Sequence, residues 1–209
     1  MRIEASVTSA NDIVPKSRSA GAEVELAAAP NKNFDFALSA SFNNAELKST
    51  VTSTAPDGTV SVVSGIETGA RLPSVPKFQV SAAATYQWQL GKGGSLGYLT
   101  GSYQHVGSRY TQVGDQLLGT LNLLSFGKST IGAPLTAATF RYDPLLPAYD
   151  IVNARVGVLH DKWDVALFGN NLTDERALLG FDRERGTRAR VGYLINQPRT
   201  FGISLLVRF

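Results

Sequence analysis

Apolar residues recur at every second position along much of this chain. That spacing sets one side of an extended strand against a nonpolar medium and the other against a polar one. At the C-terminus Phe201, Ile203, Leu205, Val207 and Phe209 share one face, with Gly202, Ser204 and Arg208 on the other. Val152, Ala154, Val156 and Val158 alternate with Asn153, Arg155 and Gly157, and the Asp161-Lys162 corner then leads into Trp163, Val165 and Leu167. This predicts a tight hairpin. The same period runs through Phe34, Phe36, Leu38, Ala40 and Phe42, and through Phe78, Val80, Ala82, Ala84, Tyr86 and Trp88. Further strands are expected from Ser95 to Gln104, around Val24 and Leu26, and from Arg2 to Thr8, about eight in all.

The connections alternate in length. Pro30 to Asn33, Leu90 to Gly94 and Asp161-Lys162 are short, whereas Ala45 to Lys77, residues 106 to 148 and Asn171 to Thr200 are long. Long helix-free loops count against an ordinary compact domain unless they serve as lids or binding loops. Gathering all of them at one end, with tight turns at the other, is how outer-membrane barrels are built, turns in the periplasm and loops outside the cell. The predicted fold class is therefore all-β, an up-and-down antiparallel meander of transmembrane β-barrel strands, with Phe209 at the turn end.

Composition narrows the picture. The 209 residues are 43% hydrophobic and 18% charged, and no apolar run approaches the roughly 20 residues a membrane helix needs. A mean hydropathy of -0.04 does not speak against a membrane barrel, because lipid-facing residues alternate with polar ones. There is no cysteine, and the net charge of +3 comes from interspersed basic and acidic residues, so nucleic acid is not an expected partner. His105 and His160 fall on separate strands without carboxylates at ligand spacing, so neither metal nor cofactor is expected. No Gly-X-Ser-X-Gly motif is present, and no enzyme is predicted. Arg183, Arg185, Arg188 and Arg190, mixed with Asp182 and Glu184, make the last long loop a candidate for binding an anionic ligand, and Asp174 and Arg176 offer an ion pair across the barrel. Tyr86, Trp88, Tyr98, Tyr103, Tyr149 and Trp163 lie near strand ends, as an interfacial aromatic girdle requires. Gly127 to Ala138 reads as a loop tip.

Particular stretches resemble one family. Ala148-Tyr149-Asp150-Ile151-Val152-Asn153-Ala154-Arg155-Val156-Gly157, then Trp163 through Gly169 and Asn170-Asn171-Leu172-Thr173-Asp174-Glu175, resemble the closing strands of TonB-dependent receptors. Gln197-Pro198-Arg199-Thr200-Phe201-Gly202 through Arg208-Phe209 resembles their last strand. Lys16 through Glu25 is similar to a mid-barrel Ser-Arg-Gly-X-Glu strand, and Pro73 through Lys77 to a loop-to-strand passage.

The resemblance implies that residues 1–209 form a partial receptor barrel in the bacterial outer membrane, the C-terminal part of a wall of about 22 strands around a plugged lumen. It implies energy-coupled uptake of a scarce solute, foremost an iron–siderophore complex, captured by extracellular loops. The implied partners are outer-membrane lipid, the barrel-assembly machinery reading the strand from Phe201 to Phe209, and the TonB complex through an N-terminal plug. Met1 to Ala5 carries no export leader, so the chain is expected to be the back portion of a longer precursor. Closure of eight strands alone requires pairing Arg2–Thr8 with Phe201–Phe209. Two other readings stand beside this one: a soluble or surface all-β ligand-binding module, and an outer-membrane enzyme of the small-barrel phospholipase type.

Overall fold

The computed structural model describes residues 2–4, 7–8, 16–63, 66–116, 129–131, 140–184 and 190–208. Most of the strand-forming residues lie in one antiparallel sheet. Strand β1 comes in two short pieces, Arg2–Glu4 and Val7–Thr8, both paired with β2 (Ser17–Asn31). There follow β3 (Phe34–Leu47), β4 (Phe78–Leu90), β5 (Ser95–Val106), β6 (Tyr149–His160), β7 (Trp163–Asn170) and β8 (Thr200–Val207). Each pairs with the next in chain order, so the sheet is a meander. Among the described residues there is no α-helix.

The alternation seen in the chain becomes two faces because register is held from strand to strand. Phe34, Tyr86, Leu99, Val156, Leu167 and Ile203 are successive partners across β3 to β8 and form one apolar row. One residue along, Asp35, Thr85, Thr100 and Arg155 form the corresponding row on the other face. A slip of one residue in any pair would exchange these faces. No second layer among the described residues covers the apolar side: Phe201, Ile203 and Leu205 are 68%, 73% and 67% exposed, and Leu167 and Tyr86 are also exposed. The sandwich reading required a sheet packed there.

The short connections take the form expected. Lys32 and Asn33 join β2 to β3, Asp161 and Lys162 join β6 to β7, and Gly91 to Gly94 join β4 to β5, with Gly91 and Gly94 at φ 65° and 78°. Such left-handed backbone costs glycine nothing. Tyr86, Trp88 and Trp163 sit on the apolar face toward this turn end, and Trp163 stacks on His160 at 5.4 Å. Tyr103 lies on the same face toward the loop end. Tyr98 and Tyr149 depart from the expected girdle. Tyr98 pairs with Gln87 and Gly157, and Tyr149 with Val106, which places both on the polar face.

Arg2–Glu4 and Thr200–Val207 stand at opposite edges and do not pair, so the sheet is an open wall segment and not a closed eight-stranded barrel. Phe209 lies outside the described residues, as do most of the Gly127 to Ala138 loop tip and the connecting residues 185–189. Within that tip Ser129–Ile131 forms a strand paired with Phe140–Tyr142.

Gly157 is a point of close packing on the polar face. A Cβ there would come within 2.6 Å of the Tyr98 ring and 2.7 Å of the Val165 carbonyl oxygen, which is backbone and cannot turn aside. Gly157→Val is expected to cost roughly 1–3 kcal/mol by overpacking. The check is the urea midpoint of refolded protein followed by β-sheet circular dichroism. A midpoint equal to wild type would show that this contact is not tight.

Candidate functional site

The long connections are organised and share a small core at the loop end. The first holds the hairpin Thr52–Thr54/Val60–Val62, and the second the pair Arg109–Tyr110/Leu145–Leu146. The third holds the hairpin Leu178–Glu184/Arg190–Ile195. Tyr110, Leu146 and Ala177 from these segments are buried, as are Ala45, Leu47 and Val106 at the strand ends beneath them.

Arg71 and Gln116 join the first loop to the second. The Gln116 carboxamide accepts from the Arg71 amide and donates to the Arg71 carbonyl, both at 2.8 Å. The Arg71 guanidinium donates to the carbonyls of Ser108 (2.6 Å) and Val75 (3.2 Å) and lies 5.6 Å over the Tyr110 ring. The Ser74 amide donates to the Tyr110 carbonyl at 2.6 Å. Burial pushes the Arg71 pKa below its ordinary value, Tyr110 opposes that, and an arginine so placed stays cationic at neutral pH. Sequence reasoning missed Arg71, Arg109 and Gln116, since residues this far apart carry no local signal of contact.

The Asn-Asn-Leu-Thr-Asp-Glu run explains itself as a cap on β7. Asn171, only 3% exposed and at φ 51°, accepts the Glu175 amide on Oδ1. Its Nδ2 donates to the carbonyls of Glu175 and Gln197, all three bonds at 2.9 Å. Its own amide donates to Asn153 Oδ1 at 2.9 Å. Asparagine tolerates the left-handed region better than most residues, and its short amide meets both ends of the third loop. Asp174 then accepts the Arg199 amide at 3.0 Å and pairs with Arg176 at 3.4 Å. The expected Asp174–Arg176 bond is thus local to the loop and does not cross the barrel.

Of the predicted ligand-binding arginines, Arg183 and Arg190 fall on the two strands of the last hairpin, opposite Val191 and Glu184. Arg190 is exposed. Arg185 and Arg188 lie between them, outside the described residues. The terminal-strand residues Phe201, Ile203, Leu205 and Val207 share the apolar face of β8. His105 has a partner that the sequence did not suggest: its Nδ1 lies 2.8 Å from Asp150 Oδ1, which also accepts the Tyr103 hydroxyl at 2.6 Å. One carboxylate does not make a metal site, and among the described residues no group of three or more metal-ligating side chains occurs.

On the polar face a second network holds the wall. Arg155 donates to the Tyr98 hydroxyl (2.8 Å), to Ser204 (3.2 Å) and to Asp164 (3.4 Å), and the Tyr98 hydroxyl donates to Asp164 at 2.9 Å. A hollow of about 310 Å³ of mixed lining lies beside it, between Thr100, Ser102, Asn153, Phe168 and Asn170.

Two outcomes follow from the cap. Asn171→Ala removes three side-chain bonds and leaves an alanine in left-handed backbone, so a loss of roughly 2–4 kcal/mol is expected. Protease cutting between Asp174 and Arg199 should rise with it, and cutting unchanged from wild type would refute the cap. Asp174 is partly exposed, and the Arg199 amide, helped by the Arg176 and Arg199 charges, holds its carboxyl below the ordinary 3.8. A depressed acid stabilises above its unfolded value and loses that contribution as pH falls through the lower folded one. Loop protection against an acid-active protease should therefore hold above pH 3.8 and fall below it in wild type. Asp174→Asn should flatten that step.

The chain matches the family model described as TonB dependent receptor-like, beta-barrel, over residues 3–172. Among curated proteins none matches it in sequence. In fold it is similar to the ferric yersiniabactin uptake receptor FyuA from Yersinia pestis, with a TM-score of 0.64 and 16% identity, covering 93% of this chain and 24% of that one. The ferric-catecholate import receptor Fiu from K12 E. coli gives a TM-score of 0.55 and 18% identity, covering 95% of this chain and 22% of that one. For the ferripyoverdine receptor of Pseudomonas aeruginosa the values are 0.50 and 15%, covering 91% and 19%. The chain thus spans a quarter or less of the length of these receptors. With the meander, the two-faced strands and the loop-end cap in place, the chain belongs to the TonB-dependent receptor β-barrel family, a family of transport receptors and not of enzymes.

Proposed function

We propose that residues 1–209 form part of the wall of a bacterial outer-membrane receptor that takes up an iron–siderophore complex, with its loop end outside the cell. The observation that carries this reading is the uncovered apolar face, continuous in register from β3 to β8. An exposed apolar patch of that extent marks an interaction surface, and lipid is the medium that suits a face flanked by aromatic residues. The exposed terminal strand Phe201–Val207 then serves the barrel-assembly machinery as well as the lipid.

Iron chelates are favoured because the structurally similar proteins are an uptake receptor for ferric yersiniabactin, an import receptor for ferric catecholates and a receptor bound to ferripyoverdine. Arg183 and Arg190 on the last hairpin, with Arg185 and Arg188 between them in the sequence, are the residues assigned to meet an anionic chelate. In this reading the TonB complex is met through a plug domain and not through these strands.

The test begins with refolding into detergent or lipid. A β-rich species whose gel mobility changes on boiling, and whose tryptophan fluorescence is quenched by an anionic ferric catecholate, is the expected result. Arg183→Glu with Arg190→Glu should weaken that quenching about tenfold or more, the scale of a lost charge-assisted bond. A sharply folded monomer in plain buffer would overturn the membrane reading. Unchanged quenching in the double variant would remove the arginine assignment alone.

A further inference from the structure

We propose that Arg109 is a positioning residue, the tie that aims the arginine-bearing hairpin at the loop end. It is 8% exposed, yet among the described residues it pairs with no carboxylate. Its Nη2 donates to the carbonyls of Leu178 (3.2 Å) and Leu179 (2.9 Å), and its guanidinium lies 5.5 Å over the Tyr149 ring. Its Nη1 is buried with no hydrogen-bond partner. A buried guanidinium held by neutral groups alone is costly, so packing is not what its charge serves here.

The two carbonyls explain the placement. Leu178 pairs with Ile195 and Gly180 with Leu194, so Leu179 is the extra residue of a β-bulge. A bulge leaves its extra residue outside the ladder and bends the strand that carries it. Arg109 takes up the carbonyl that the bulge leaves over, together with its neighbour, and so fixes the direction of the bend. Arg183 and Arg190 lie beyond that bend on the same hairpin. Ser108 and Tyr110, on either side of Arg109, are themselves gripped by Arg71 and by the Ser74 amide. The hairpin is therefore tied through Arg109 to the first two loops, and the three move as one body.

The inference rests on the receptor reading only in giving the hairpin a ligand to meet, and its test has an arm that needs no ligand. In refolded full chain, hydrogen exchange is compared between wild type and Arg109→Met over Leu178–Ile195 and, as a control, over Phe78–Val106. Exchange about tenfold faster or more in the hairpin, with the control strands unchanged, is expected. No change in the hairpin, or an equal rise in both regions, overturns the tie. Should Arg109→Met not refold, Arg109→Lys, which keeps the charge and loses the fork, is read by the same two outcomes. In the second arm wild type and variant are titrated with an anionic ferric catecholate and an uncharged ferric hydroxamate. Loss of preference for the anionic chelate in the variant supports a positioning role, and an undiminished preference removes it. A wild type that binds neither chelate fails the receptor reading and leaves the exchange result to decide the tie.

Discussion

In a single layer of strands the register of each hydrogen-bonded pair decides which medium every side chain meets, because no second layer can correct a slip. Here that constraint is met by long unbroken ladders: β5 with β6 from Leu96 to Val106, β4 with β5 from Gln79 to Leu90. Tight turns hold the pairs at one end. The two faces, the aromatic residues and the position of every loop follow from those pairings. Close contacts such as Tyr98 over Gly157 also lock register, since a shifted strand would set the ring against a side chain.

The loop end obeys a different rule. Its segments cannot draw on a ladder spanning the sheet, so their backbone groups are met by single buried or half-buried polar side chains. Asn171 satisfies both ends of the third loop, Gln116 both backbone groups of Arg71, and the two arginines four carbonyls between them. Each costs desolvation and is repaid only while all of its partners stay in place. Loss of any one of them is therefore felt across connections far apart in the chain.

How much of this the chain reveals in advance depends on the range of the interaction. The strands and the alternation of turn and loop are local, period-two signals and were legible, down to the Asp161-Lys162 corner. The hairpin at Thr52–Thr54 and Val60–Val62 carried its own mark, Asp57-Gly58 between β-branched residues, and was obscured only by reading the whole segment as loop. Tyr98 and Tyr149 were misassigned because a strand end was taken without its parity. The Asn171 cap lay inside a recognisable motif, though its partners did not. Arg71, Arg109 and the His105–Asp150 contact join residues whose proximity is made by the sheet, and no local pattern could bring them together.

The same division governs charge. On the wall Arg155 is neutralised where it stands, by Asp164 of β7 and by hydroxyls from β5 and β8. At the loop end Arg71 and Arg109 contact carbonyls and rings, and among the described residues neither pairs with a carboxylate. Neutral acceptors disperse a guanidinium's charge without cancelling it. Arg71 and Arg109 therefore each keep an unpaired positive charge at the loop end of the sheet, beside the acidic side chains the same loops carry. Fixed positive charge is felt by anions beyond contact distance, and salt screens it over about 10 Å. The carbonyl ties that order the loops thus come from two side chains whose own charge is left without a carboxylate partner among the described residues.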